Sequence, residues 1–242
     1  MWYNVRIKTY ADGHNQYFWS ENPILRDIPD EFKVKKVKRL TLPGSQSKRG
    51  KRNSMKRAVQ NVYDIARSNQ FDWFITLTFD EKKVNRYDYD SCVASMKLYF
   101  DRLYKYGCKW LIVPEQHKKG GYHFHGLVSG DLPLTPSGKT CYNEATQEEM
   151  PIYNLPNYEF GFTTATKVFH SERAASYIAK YLTKEISVPK GRKCYWASKT
   201  LARPAVSYVE MDDNDFMYGV YFPGRYVKEI ENDHGRFIIV EE

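Results

Sequence analysis

The sequence predicts an α+β fold in which helices pack on a central antiparallel β-sheet. The first observation is the order of the candidate elements, which runs strand, helix, hairpin, strand, helix. The second is periodicity, because apolar residues alternate in the candidate strands and recur at helical spacing in the candidate helices. The third is the segment His117–Gly121 between the two central strands, whose paired glycines are typical of a hairpin turn.

A basic segment precedes this core. Residues 33–57 hold eleven lysines and arginines and no acidic residue. Their Gly, Pro and Ser content predicts a loop or linker, in which Arg49, Lys51 and Arg52 are candidates for contact with nucleic-acid phosphates. A solvated, flexible segment explains the same residues equally well. The helix predicted next begins at about Ser54 and ends at about Ser68.

The core elements follow in turn. Trp73–Phe79 is predicted as a strand because its apolar residues alternate, and about Ser91–Tyr106 as a helix. The remaining predicted elements are hairpin strands at Lys109–Gln116 and Tyr122–Ser129, a long surface insertion at 131–157, a strand at 160–168, a helix at 171–184 and a terminal strand at 236–240. The expected domains are an N-terminal extension with the basic linker at 1–57, a core domain at 58–200 and a C-terminal extension at 201–242.

Composition favours a globular protein with a polyanionic partner. Apolar residues make up 42% of the 242 residues, which is ordinary for a folded protein. The net charge of +8 suits nucleic acid or an anionic membrane surface. The aromatic content of 16%, with 20 tyrosines, supplies rings that can stack on unpaired bases or fill a β-rich core.

The cysteines and the hydropathy pattern narrow the class further. The four cysteines stand singly, which supports neither a zinc knuckle nor a disulfide framework. The first residues lack the apolar core of a signal peptide, and no apolar run approaches the length of a membrane span. We therefore expect a soluble, cytoplasmic protein that has no membrane partner.

Two histidines in the second hairpin strand are candidate metal ligands. His123 and His125 stand two residues apart, so both point from the same face of the strand. Two imidazoles on one face make half of a divalent metal site. Taken alone, such a pair is more often explained by core packing or chance.

Glu115, on the preceding strand, is the candidate third ligand. A two-residue loop would turn it away from the histidines, whereas a three-residue loop, KKG or KGG, places it opposite His123 or His125. Gly120 and Gly121 favour the three-residue loop, which is our prediction. His117 shares the face of Glu115 and competes with it, although we expect His117 to be a solvent-exposed turn residue.

The helix at 171–184 carries the candidate nucleophiles. Tyr177 and Tyr181 lie one turn apart on one face, with Lys180 beside Tyr177 and Lys184 further along the lysine row. A phenol with a pKa of about 10 is a poor nucleophile, so a nearby cation that favours the phenolate is useful. An amphipathic helix with two half-buried tyrosines is the structural alternative. Its sheet-facing side is expected to consist of Ala175, Ile178, Ala179 and Leu182.

Together these features fit metal-assisted cleavage of DNA. A metal ion polarises a phosphate oxygen, and a tyrosine attacks the phosphorus in line. The products are a 5′-phosphotyrosine and a free 3′ hydroxyl, so the bond energy is kept for rejoining and no nucleotide cofactor is needed.

With these motifs the sequence resembles the HUH endonucleases, specifically the replication initiator (Rep) proteins of small single-stranded DNA phages and rolling-circle plasmids. The motifs that carry the resemblance occur in the family's order. They are Phe74–Phe79, Gly121–Gly126 and Tyr177–Tyr181, together with Val113–Glu115 as the acidic ligand region. They extend over about residues 71 to 185, less than half the chain.

The resemblance implies the HUH endonuclease fold, which is ferredoxin- or RRM-like, and a role for each motif. His123, His125 and Glu115 would bind Mg²⁺ or Mn²⁺. Tyr177 would be the nucleophile, assisted by Lys180, and Tyr181 would be the second nucleophile that phage-type members use. Expected DNA contacts are Lys184, Thr76 and Thr78, besides Arg49, Lys51 and Arg52 of the basic segment.

The implied partners are single-stranded or origin DNA and, because no Walker segment is present, a host helicase in the cytoplasm of a bacterial host. Two alternatives stay open. One is a transposase of the same nuclease class, and the other is a non-catalytic single-stranded nucleic-acid-binding protein whose histidines and tyrosines contact bases. Relaxases carry their tyrosine ahead of the histidines, so the motif order argues against them.

Overall fold

The computed structural model describes residues 1–26, 48–143, 147–183, 188–189, 191–232 and 235–242. In chain order the elements are β1 (Trp2–Thr9), β2 (Asn15–Leu25), α1 (Lys48–Arg67), β3 (Trp73–Phe79), α2 (Tyr89–Leu103), β4 (Lys109–Gln116), β5 (Tyr122–Ser129), β6 (Thr135–Asn143), β7 (Glu148–Asn154), β8 (Gly161–Lys167), α3 (Ser171–Thr183), β9 (Trp196–Ala197), β10 (Ala205–Val209), α4 (Asp213–Phe216), β11 (Arg225–Asn232) and β12 (Gly235–Glu241). The predicted α+β class is confirmed, with two antiparallel sheets.

The chain divides into two compact units, each with its own sheet. One unit consists of Met1–Gln46 and Arg203–Glu242, and the other of Ser47–Ala202. In the first unit the strand order is β10-β1-β2-β12-β11, and Trp19 stacks on Phe216 of α4 at 5.5 Å between ring centroids. The two ends, expected from the sequence as separate extensions at 1–57 and 201–242, thus share one sheet.

The second unit is built on a seven-stranded sheet in the order β6-β7-β8-β3-β5-β4-β9. One face buries Ile75, Leu77 and Phe79 of β3 with Phe124 of β5, in a cluster that includes residues of α2. The opposite face packs against α1 and α3, and its fully buried strand residues are Leu111, Val113 and Leu127. The helix side predicted to face the sheet is confirmed, since Ala175, Ile178, Ala179 and Leu182 are all buried there.

The start of α1 corrects one prediction. The helix begins at Lys48 rather than at about Ser54, so residues 48–57 of the basic segment are helical and not a linker. Lysine and arginine are good helix formers, and a single glycine within the turn costs only about 1 kcal/mol. The buried residues Val62 and Ile65 anchor the same helix downstream.

The surface insertion predicted at 131–157 contains a hairpin, formed by β6 and β7. Its alternation was hidden in the sequence because most of its side chains remain exposed or half-exposed on both faces. A strand with two wet faces lacks the apolar period that identifies a half-buried one. Among the described helices, none is long and apolar enough to cross a membrane.

Candidate metal and nucleophile site

The turn between β4 and β5 decides where Glu115 points. The His117 N–H donates to the Gly121 carbonyl at 2.8 Å, which closes a three-residue loop of Lys118, Lys119 and Gly120. Gly120 has a φ of +89°, a left-handed conformation that glycine adopts at little cost. The register then sets Glu115 opposite His123. The predicted three-residue loop, in its KKG form, is therefore confirmed, and Glu115 lies on the histidine face.

Threonines of β3 fix both histidine rings from behind. The register pairs Thr78 with His123 and Thr76 with His125. The Thr78 hydroxyl lies 3.2 Å from His123 Nδ1, and the Thr76 hydroxyl lies 3.1 Å from His125 Nδ1. A partner at Nδ1 orients an imidazole and leaves Nε2 for another ligand. Thr76 and Thr78, expected from the resemblance to contact DNA, thus have their hydroxyls directed at the histidines.

The carboxylate of Glu115 and the ring of His125 are directly bonded. Glu115 Oε2 lies 2.7 Å from His125 Nε2, with the histidine side chain buried and the carboxylate about one-fifth exposed. Burial lowers the pKa of His123, and the neighbouring imidazole of His117, 5.8 Å away between ring centroids, lowers it further. His123 is therefore neutral at pH 7, the form whose ring nitrogen can bind a metal ion. His117 is exposed at the turn, as predicted.

The chemistry of this donor set fits a divalent cation. Two imidazole nitrogens and a carboxylate on one sheet face are ligands that Mn²⁺ and, less readily, Mg²⁺ accept. The threonine bonds at Nδ1 resemble the support that metal-binding histidines usually have. Within the described part of the chain, no three His, Cys, Asp or Glu side chains already surround a common point. Here the Glu115 carboxylate is engaged by His125 instead.

Helix α3 brings both tyrosines over the same face. Tyr181 is buried and stacks on His125, with ring centroids 3.8 Å apart and planes inclined by 19°. Its hydroxyl donates to the hydroxyl oxygen of Tyr177 at 2.8 Å. Tyr177, by contrast, is 49% exposed. The two tyrosines, expected to be similarly half-buried, therefore have different environments.

The proton of this hydrogen bond belongs to Tyr181. Burial raises the pKa of Tyr181 far above its ordinary value, and the hydrogen bond to Tyr177 raises it further. Tyr181 therefore keeps its proton at every physiological pH. The oxygen of Tyr177 is the acceptor and faces the open side of the helix.

Phe74 is a residue whose part in this site sequence reasoning missed. Its ring centroid lies 5.1 Å from that of Tyr177, 6.1 Å from that of Tyr181 and 6.0 Å from that of His125. It therefore joins both tyrosines to the histidine strand. The alternation of β3 could have revealed it, because Phe74 has the same parity as Thr76 and Thr78.

The basic residues are placed only in part. Lys180 is exposed on α3, three residues from Tyr177 and so beside it on the helix surface. Lys184 and the side chains of Arg49, Lys51 and Arg52 lie outside the described residues.

Comparison with known proteins found one family. Residues 72–186 match the family model described as Replication-associated protein ORF2/gene 2 protein. No curated protein and no solved structure matches the chain. The matched segment extends from just before β3 to just beyond α3 and contains Glu115, both histidines and both tyrosines. This part of the chain is therefore similar to replication-associated proteins.

Proposed function

We propose that this protein initiates rolling-circle replication by nicking and rejoining single-stranded DNA at a specific sequence. The observation that carries the proposal is the stack of Tyr181 on His125, because it sets the tyrosine pair beside two histidines and a carboxylate. The similarity of residues 72–186 to replication-associated proteins supports a role in replication initiation.

In the proposed first step, Tyr177 is the nucleophile. Its phenolic oxygen loses its proton and bonds to the phosphorus, and the 3′ oxygen of the preceding nucleotide leaves with the electron pair and takes up a proton. The products are a 5′-phosphotyrosine and a 3′ hydroxyl. The hydrogen bond from Tyr181 stabilises negative charge on the attacking oxygen. Lys180 contributes positive charge near the phosphate.

His123, His125 and Glu115 would hold Mg²⁺ or Mn²⁺. When bound, the ion would polarise an oxygen of the scissile phosphate. Thr76 and Thr78 keep the two rings oriented through Nδ1, so Nε2 is the atom each histidine offers. Glu115 would then give up its hydrogen bond with His125 Nε2.

Tyr181 is suited to the second reaction rather than the first. A buried hydroxyl that retains its proton and donates to Tyr177 is a poor initial nucleophile. We assign Tyr181 to the later transfer, in which the DNA end held by Tyr177 is rejoined.

Detection of a covalent adduct tests this function. The protein is incubated with a library of single-stranded origin candidates, in Mn²⁺ or in EDTA, and protein–DNA adducts are separated on denaturing gels. We expect a metal-dependent adduct, which peptide mapping should locate on Tyr177. A complete lack of adduct across the library, with binding retained, would favour the non-catalytic alternative. Strand transfer between two hairpin ends would favour the transposase.

A further inference from the structure

A cleft of about 830 Å³ opens beside the tyrosines, outside the histidine and carboxylate cluster. The hairpin of β6 and β7 forms one wall, and the first turns of α3 form the other. β7 joins β8 through the pair of Tyr153 and Ala165, whereas β6 and β7 pair with each other along most of their length. The hairpin therefore rises beside the sheet as a wall. Tyr177 and Tyr181 line the inner end of the cleft.

The charges that line the cleft are positive. Lys167, at the end of β8, and Arg173, in the first turn of α3, are both exposed, with His170 between them. The described residues that line the cleft include no Asp or Glu side chain. This balance suits phosphate groups, and a flexible basic pair beside a nucleophile can hold a backbone on either side of the scissile bond.

Aromatic rings complete the lining. Phe169 and Tyr142 face each other from the two walls of the cleft and are 54% and 62% exposed. Neither belongs to a core cluster, so neither ring is explained by packing within the fold. Exposed rings near basic side chains are typical of surfaces on which unpaired bases stack. A duplex hides the faces of its bases, so this combination selects single strands.

We infer that this cleft binds the single-stranded segment next to the scissile phosphate, with bases stacked on Phe169 and Tyr142 and phosphates held by Lys167 and Arg173. The inference rests on the proposed function for its substrate class and adds the path by which the strand reaches Tyr177. It gives the β6–β7 hairpin a role, as the wall that confines the strand.

Binding without cleavage tests the inference. Fluorescence anisotropy in EDTA measures the affinity of the full-length protein for labelled oligothymidylate and for a labelled duplex. Phe169→Ala and Tyr142→Ala should each weaken oligothymidylate binding about tenfold and leave duplex binding unchanged. Lys167→Gln and Arg173→Gln should each make the dependence on salt shallower. Matched controls are Tyr104→Ala and Lys97→Gln, exposed residues in and after α2 on the other side of the sheet, which should bind as the wild type does.

Each result has a defined meaning once circular dichroism shows that the variants are folded. Unchanged oligothymidylate affinity in all four cleft variants overturns the inference, even if the wild type forms adducts. Weakened binding in the cleft variants alone supports it, even if no origin gives an adduct and the nicking proposal fails. Equal weakening by the α2 controls would also overturn it, since any exposed ring or lysine would then serve.

Discussion

The two tyrosine hydroxyls of α3 have opposite parts in their shared hydrogen bond. Tyr181 donates from a buried position against His125, and Tyr177 accepts at a surface open to a substrate. Residue spacing showed that the rings are neighbours, but it could not show which one is buried. That depends on Phe74 and His125, which the sheet register brings beneath the helix.

Removing each hydroxyl separates the two roles. Tyr177→Phe should reduce adduct formation by roughly a thousandfold or more, because the nucleophile is lost. Tyr181→Phe keeps the ring stacked on His125, so it should slow first cleavage by only about tenfold, through the lost hydrogen bond, and mainly impair rejoining. The measurements are single-turnover rates of adduct formation and of joining. If Tyr181→Phe were the more damaging change to first cleavage, the assignment would be reversed.

The threonines behind the histidines offer a second prediction. Thr78→Val removes the hydroxyl from His123 Nδ1 with little change in shape, and we expect the affinity for Mn²⁺ to fall by about 10- to 100-fold. Isothermal titration of the metal-free protein with Mn²⁺ measures it. Thr200→Val, at an exposed threonine outside the site, is the control. Equal affinities for both variants would show that Thr78 supports no metal ligand.

Burial of His123 predicts a dependence of stability on pH. Because its pKa is lowered in the folded protein, the unfolded chain takes up the proton first as the pH falls below about 6.5. The stabilising contribution is present above that pH and is lost as the pH falls toward the pKa of the folded state. Urea unfolding in EDTA should show a smaller loss between pH 7.5 and 5.5 in His123→Gln than in the wild type. An equal loss in both proteins would contradict the prediction.

Among the elements, the β4–β5 hairpin carries the most information about the site. Its strands alternate cleanly between two covered faces, and its turn length sets the side on which Glu115 lies, so both could be predicted. The β6–β7 hairpin could not, because its exposed strands have no apolar period. The start of α1 was wrong by several residues, since a basic, glycine-containing stretch is equally typical of a linker.

Changing the turn length tests the parity of this hairpin. Deletion of Lys119 leaves a two-residue loop, which should move Glu115 to the opposite face and abolish measurable Mn²⁺ binding. Lys119→Ala keeps the length and should bind Mn²⁺ as the wild type does. Titration calorimetry reports the affinity, and circular dichroism confirms the sheet. Retained binding in the deletion variant would exclude Glu115 as a ligand that depends on this register.

At the scale of the whole molecule, the pairing of the two chain ends had no sequence signal. β1 pairs with β10, and β2 with β12, across about two hundred residues. Local patterns predict strands but not such distant partners. The composition of the ends therefore suggested extensions, whereas they form the five-stranded sheet of a separate unit.

Truncation should expose this dependence. A chain that ends at Ala202 leaves β1 and β2 as an isolated hairpin, which is at best marginally stable. We expect proteases to remove residues before about 47 from the truncated protein but not from the full chain, while Ser47–Ala202 resists cleavage in both. Limited proteolysis with mass spectrometry measures this. Protection of the N-terminal strands in the truncated chain would contradict the expectation.

The discontinuous unit also sets an order of events during synthesis. Ser47–Ala202 is contiguous, so all of its strands have left the ribosome before β10 is made. β2 must wait for β12, which lies beside it in the middle of its sheet. The unit with the histidines and tyrosines can therefore complete its fold while the first strands of the chain are still without their partners.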